Sequence, residues 1–260
     1  MKRLGQHFLN TSAGGKKIIA DIIEAAELKK TDIVLEVGPG KGVLTEALLE
    51  KAKKVIAIEK DEKLVEFLKE KFFGRKNLQL TCGDILKIEN LKIKNFKIVA
   101  NIPYYITSRF LRKFLTARDQ PETMVLMIQK EVAERICAKN KKESLLSISV
   151  KAYGNPKIAR GVSAGNFSPP PKVDSAVIKI ENISRNFFHQ NGIGEEKFFE
   201  TVKKGFSQKR KMLKNNLKIS SEALARCGLS EKARAEDLNL KDWACLISVR
   251  KTAGSLFFEK

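Results

Sequence analysis

The chain has 260 residues, 43% of them hydrophobic, which suits one large globular domain with a smaller one rather than a disordered chain. Its 50 Lys and Arg against 30 Asp and Glu leave a formal charge of +20, so a polyanionic partner is expected. No run is long and apolar enough to span a bilayer, and the stretch 1–9 holds no apolar signal core, so the protein reads as cytoplasmic. With His7 and His189 the only histidines, no metal site is expected. Cys82, Cys137, Cys227 and Cys245 form no Cys-x-x-Cys pair, and reduced thiols are expected.

In chain order, a helix begins near Ser12 and carries Ile18, Ile19, Ile22, Ile23 and Ala26 as one apolar stripe; the loop before it holds His7, Phe8 and Leu9. The run 32–37 is apolar apart from Glu36, and Gly38-Pro39-Gly40-Lys41-Gly42 then leads into a helical pattern through Leu44, Leu48 and Leu49. Strand, glycine turn and helix make the nucleotide-binding βα unit. A dinucleotide fingerprint needs a glycine where Val43 stands, and Glu36 repels a pyrophosphate while suiting an ammonium group.

The strand over 55–58 ends at Glu59, about 20 residues after Gly40, where a carboxylate accepts both ribose hydroxyls of a nucleoside. Its alternative role, capping the next helix, falls equally well to Asp61. Leu64, Leu68 and Phe72 mark that helix, and the strand 78–81 ends in Cys82-Gly83-Asp84-Ile85, where Asp84 accepts from an adenine amine and Ile85 packs on the ring. The run 96–100 then meets Asn101-Ile102-Pro103-Tyr104. An amide oxygen, a rigid proline carbonyl and a flat ring suit an exocyclic adenine amine, although Asn and Pro also make an ordinary strand-end turn.

Phe110, Leu111, Phe114 and Leu115 give a further helix with Arg109 and Arg112 on its polar side, and 124–128 is a buried strand. The stretch 145–150 fits helix or strand and leans to helix; 157–162 and 175–180 read as the last two strands. Between them lies a stiff proline loop in which Phe167 either closes the far side of a flipped base or packs the loop itself. Beyond a Ser/Asn/Gly-rich break over 182–194 the pattern is helical only. Lys209, Arg210, Lys211 and Lys214 crowd it among other lysines with no acid nearby, as phosphate contacts would.

The segments Arg3-Leu4-Gly5-Gln6-His7-Phe8-Leu9, Val34-Leu35-Glu36-Val37-Gly38-Pro39-Gly40, Asn101-Ile102-Pro103-Tyr104, Pro169-Pro170-Pro171-Lys172-Val173-Asp174-Ser175-Ala176-Val177 and Phe206-Ser207-Gln208-Lys209-Arg210-Lys211 together resemble the rRNA adenine N6,N6-dimethyltransferases. The resemblance runs from about Arg3 to Ile247 and leaves the tail 250–260 without a role.

It implies an α/β, Rossmann-like class I S-adenosylmethionine-dependent methyltransferase domain over 1–185, with a mainly parallel seven-stranded sheet, and a small basic all-α domain for rRNA over 186–260. It also implies S-adenosyl-L-methionine held by His7, Leu9, Gly38, Glu59, Asp84 and Asn101, of which Gly38, Glu59 and Asp84 follow from spacing as well. Asn101, Pro103, Tyr104 and Phe167 are the expected catalytic set; Arg109, Arg112, Lys209, Arg210, Lys211 and Lys214 are the expected RNA contacts.

Ile102 is more usual in the branch that methylates large-subunit rRNA and confers macrolide resistance. The proline loop and the stretch 206–217 resemble the branch that dimethylates two adjacent adenosines in a hairpin near the end of small-subunit rRNA. The expectation is therefore a monomeric enzyme acting on small-subunit rRNA within the immature subunit. The alternatives are the large-subunit branch, a non-catalytic assembly factor, against which Asn101–Tyr104 and Glu59 count, and a DNA adenine methyltransferase, which more usually shows Pro-Pro-Tyr and a separate recognition domain.

Overall fold

A computed structural model describes residues 8–252, apart from 11 and 90, with side chains to 249. His7 and residues 253–260 lie outside the described residues.

The first elements are β1 (Phe8–Leu9), α1 (Ala13–Ala26), β2 (Ile33–Val37), α2 (Val43–Lys51), β3 (Lys54–Glu59), α3 (Glu62–Lys71), β4 (Leu78–Cys82) and β5 (Phe96–Asn101). Then come α4 (Thr107–Leu115), β6 (Thr123–Gln129), α5 (Lys130–Cys137), α6 (Leu145–Lys151), β7 (Asn155–Val162), β8 (Phe167–Ser168) and β9 (Ser175–Glu181). Five α-helices close the described residues: α7 (Asn186–Asn191), α8 (Glu195–Gly205), α9 (Leu213–Leu217), α10 (Ser221–Ala225) and α11 (Leu240–Thr252).

Local chemistry sets these bounds. Ser12 caps α1 by accepting from the Gly15 N–H, and Ile18, Ile19, Ile22 and Ala26 are its buried stripe. Asp61 caps α3 by accepting from the Lys63 and Leu64 N–H groups, and so leaves Glu59 to other duties. Ser144 and Ser147 cap α6 reciprocally, which settles the ambiguous stretch as helix.

Seven strands form one sheet in the order β4-β3-β2-β5-β6-β9-β7, parallel from β4 to β6 and antiparallel at β9 and β7. This is the mainly parallel sheet expected from the sequence. The chain runs outward from β2 to β4, then returns to the other side of β2 for β5, so β2 and β5 flank the switch point where ligands bind in open α/β sheets. The register opens that point. β2 and β5 pair only as far as Leu35 and Ile98, whereas β2 stays with β3 to Val37 and β5 stays with β6 to Asn101. Glu36 and Val37 on one side, and 99–101 on the other, therefore diverge into a fork.

Two compact units divide the chain: 1–133 with 155–183, and 134–154 with 184–260. A division at 185/186 in the linear sequence puts 134–154 with the sheet; the structure groups it with the helices. In this second unit Tyr153 joins Phe188, Phe198 and Phe199 in an aromatic cluster, and its hydroxyl donates to Glu195 at 2.6 Å. Burial and the Glu195 carboxylate push the Tyr153 hydroxyl well above the ordinary tyrosine value. Cys227 and Cys245 are joined in a disulfide with their Cα atoms 5.8 Å apart, which corrects the expectation of four reduced thiols; Cys82 and Cys137 are not disulfide-bonded. The folded chain brings together what a sequence separation of 18 hides.

Candidate active site

The fork between β2 and β5 opens into a cleft at the C-terminal ends of the strands, where ligands bind in open α/β sheets. Six residues nominated from the sequence line it: Leu9, Gly38, Glu59, Asn101, Pro103 and Tyr104. Phe8, Glu36, Lys41 and Leu44 line it too.

The floor is the turn from β2 into α2. Gly38 has φ +69°, and its missing side chain leaves its backbone open toward the Asn101 carbonyl. Gly40, at φ +58°, is needed for space as well, because a Cβ there would meet the Phe8 ring at 2.8 Å. Glu59, at the end of β3, is 5% exposed; its Oε2 accepts from the Gly40 N–H at 3.1 Å and its Oε1 from the Lys60 and Asp61 N–H groups at 2.8 and 3.0 Å. Three backbone donors hold the carboxylate in one orientation beside the turn.

The roof is the first described segment. β1 pairs antiparallel with β8, Phe8 opposite Ser168 and Leu9 opposite Phe167, and Asn10 donates to the Asn166 and Gly165 carbonyls at 3.0 and 3.3 Å. The Lys41 ammonium lies over the Phe8 ring, 5.5 Å from its centroid.

The mouth is the Asn101–Tyr104 loop. Ile102 is buried, while Asn101, Pro103 and Tyr104 are partly exposed. The Tyr104 hydroxyl shares a 2.6 Å hydrogen bond with Ser175 Oγ at the start of β9, and partial burial raises the hydroxyl above its ordinary value. The Pro103 carbonyl accepts the Ile106 N–H at 3.1 Å, closing a short helical turn that leads into α4.

Of the residues nominated for the cofactor and for catalysis, two described ones stand apart from the cleft lining. Asp84 lies beyond the end of β4, ion-paired with Lys60 at 3.0 Å, and that ammonium holds its carboxyl below the usual range. Phe167 is 4% exposed and packs in the core with Leu9 and Val162, which is the loop-packing alternative; as a free stacking face it is corrected. In sequence nothing marks the difference, because the two-residue β1–β8 pair that covers Phe167 is too short to show periodicity. Arg109 and Arg112 are exposed on α4, and Lys209, Arg210 and Lys211 are exposed between α8 and α9. Lys214 is partly buried, 3.6 Å from Glu231 and 3.4 Å from the Ser221 hydroxyl. Ser175 escaped sequence reasoning, its only signal being its place in the proline-loop motif.

No cluster of His, Cys, Asp and Glu able to hold a metal occurs among the described residues, and no described helix is long and apolar enough to cross a membrane.

The family model for ribosomal RNA adenine dimethylase matches residues 1–251. A ribosomal RNA small subunit methyltransferase A of Dehalococcoides mccartyi is 45% identical over 254 residues, covering 93% of this chain and 85% of that one. Its namesake in Fusobacterium nucleatum is 38% identical over 259 residues, covering 95% and 96%. Among solved structures, a dimethyladenosine transferase from Plasmodium falciparum superposes with a TM-score of 0.77 at 31% identity over 88% of this chain and 94% of that one. The 23S rRNA methyltransferase ErmE gives 0.78 at 27% identity over 94% and 100%. With a family model spanning nearly its whole length and this cleft at the switch point of its sheet, the chain belongs to the ribosomal RNA adenine dimethylase family, whose members are S-adenosylmethionine-dependent methyltransferases.

Proposed function

We infer that this enzyme binds S-adenosylmethionine in the β2/β5 cleft and dimethylates the N6 amines of two adjacent adenosines in a hairpin near the 3′ end of small-subunit rRNA, acting in the cytoplasm on the assembling subunit. The observation that carries the reading is the Asn101–Tyr104 loop at the mouth of a cleft whose floor already holds an oriented Glu59. The residues present fit the cofactor. Glu59 faces a ribose, the Gly38–Gly40 backbone allows close approach, and Glu36 keeps a buried oxygen without a partner.

When bound, S-adenosylmethionine supplies an electrophilic methyl group on a sulfonium. The chain's own residues prepare the acceptor. An adenine amine is a poor nucleophile because its lone pair is delocalised into the ring. The Asn101 side-chain oxygen takes one N–H of that amine. The Pro103 carbonyl is already engaged by Ile106, so the Ile102 carbonyl takes the other. The two bonds draw the nitrogen toward tetrahedral geometry and aim its lone pair into the cleft. No strong base is needed, since the nitrogen becomes acidic once methylated, and such positioning supplies up to ~7–11 kcal/mol. Tyr104 stacks the displaced base for about 1–3 kcal/mol, with its ring tethered through Ser175. Asp84, although outside the cleft lining, would accept from the cofactor's adenine amine. Lys209, Arg210 and Lys211, with Arg109 and Arg112, contact phosphates.

The likeness to ErmE keeps a large-subunit substrate as the second reading. Sequence separates the two: the small-subunit relatives are 38–45% identical and ErmE 27%. The test is transfer of labelled methyl to small and large subunits lacking the modification, with nucleoside digestion. Dimethyladenosine confined to the small subunit supports the first reading; label confined to the large subunit overturns it.

A further inference from the structure

Four large apolar side chains are exposed among the described residues: Phe67, Phe73, Tyr105 and Val173. Tyr105 is the one that adjoins the Asn101–Tyr104 loop. It follows Tyr104, which lines the cleft, in the single helical turn Tyr104–Ile106, yet it takes no part in the lining and is 59% exposed. The turn is anchored on both sides. The Ile106 N–H donates to the Pro103 carbonyl at 3.1 Å, the Thr107 hydroxyl donates to the Tyr104 carbonyl at 3.0 Å, and Ile106 and Thr107 are buried. A ring held out by a fixed backbone has only its own two torsions to lose when something covers it.

The surroundings of the ring are cationic. Tyr105, Arg109 and Arg112 recur at helical spacing on the outer side of α4, whose other side buries Phe110, Leu111, Phe114 and Leu115. No acid occurs between Tyr104 and Arg118. From the end of β3, Lys60 pairs with Asp84 at 3.0 Å while its side chain stays 55% exposed, and it stands close enough to Tyr105 and Arg109 for both to act on its charge. An exposed ring among cations, continuous with the place where a base is to enter, suits single-stranded nucleic acid: the ring takes the face of a base and the cations take phosphate. The acid-free run favours RNA over a protein surface as the occupant.

We propose that Tyr105 is a second stacking platform at the mouth: while one of the two adjacent adenosines is turned into the cleft against Tyr104, the other lies on the Tyr105 ring, with Arg109 and Lys60 at its phosphate. The proposal rests on the reading that the cleft takes rRNA adenosines at the Asn101–Tyr104 loop. One mouth admits one base at a time, so the second adenosine needs a place outside it. Consecutive residues of such a tight turn point about 120° apart, which lets Tyr104 serve the cleft and Tyr105 the outer rim.

Binding to small subunits lacking the modification tests this, with a ligated 3′ segment of their rRNA in which each of the two adenosines in turn is made abasic. The native chain should bind at least one of the abasic subunits about 5- to 150-fold more weakly than the intact subunit. Y105A should weaken binding to the intact subunit by a similar factor and lose nothing further on that abasic one, while Y105F and Y105W bind as the native chain does. The slope of log K against log salt should be unchanged in Y105A, which removes no charge, and smaller by about 0.7–0.9 in R109A. S-adenosylmethionine affinity should stay native in Y105A, because Tyr105 does not line the cleft. F73A, which removes a 92% exposed ring between α3 and β4 at the edge of the sheet opposite the cleft, should change nothing. Losses that multiply on both abasic subunits, a Y105A variant that binds intact subunits like the native chain, or an equal loss in F73A would overturn the inference alone. Failure of the native chain to bind or methylate small subunits would overturn the reading of function with it.

Discussion

At the scale of single residues, the cleft is held by hydrogen bonds that reach across the sheet. Tyr104 is set on β5's side of the mouth and Ser175 on β9, and their 2.6 Å bond fixes the ring at the place where a base is to stack. Ser175→Ala should weaken binding of the RNA substrate several-fold, read as a rise in KM, while S-adenosylmethionine affinity stays unchanged. The lost bond itself is worth about 1 kcal/mol. Spacing in the sequence nominates Gly38, Glu59 and Asp84, because strands and tight turns fix their separations; of these, Gly38 and Glu59 line the cleft and Asp84 does not. Spacing is blind to Ser175 and to the Lys60–Asp84 pair, since such partners depend on which strands become neighbours and on which side chains compete for one carboxylate.

At the scale of elements, the roof of the cleft is a short strap. β1 is two residues long and is secured by β8, by Asn10 and by contact of Phe8 with the glycine turn. Gly40→Ala combines a backbone of positive φ with a Cβ only 2.8 Å from the Phe8 ring, so the strap must lift. S-adenosylmethionine affinity is expected to fall at least tenfold, with the far-ultraviolet circular dichroism of the native protein retained. In the second unit the Cys227–Cys245 disulfide ties the segment after α10 to α11 across 18 residues, which in the chain-entropy account is worth about 3 kcal/mol. Cys245→Ser should lower the denaturant midpoint of the helical unit accordingly while cleft affinity for S-adenosylmethionine is kept. Long apolar elements such as β5, β6 and α1 were legible from periodicity; β1 and β8 were not, because two residues carry no period.

At the scale of the whole molecule, the charge of +20 is the plainest message of the sequence, and RNA is the polyanion the family acts on. The structure refines which cations are available. Lys209, Arg210 and Lys211 are exposed, whereas Lys214 is drawn to Glu231 and Ser221. Replacing the first three with Ala should reduce the slope of log K against log salt by about 2 to 3, at roughly 0.7–0.9 for each phosphate contact. Lys214→Ala should change it far less. An unchanged slope in the triple variant would remove this segment from the RNA surface. A mainly parallel sheet was expected from the family resemblance, but neither its strand order nor the grouping of 134–154 with the helices was, because both depend on which segments pack together.

The central claim is that Asn101 activates the acceptor amine from the mouth of the β2/β5 cleft. The measurement that meets it most directly is single-turnover methyl transfer to small subunits lacking the modification, at saturating S-adenosylmethionine, comparing the native chain with Asn101→Ala. Dimethyladenosine from the native chain, and a rate at least 100-fold lower in the variant despite a filled cofactor site, is the expected result. A variant that transfers at the native rate under saturation would show that the amine is activated elsewhere and would contradict the account.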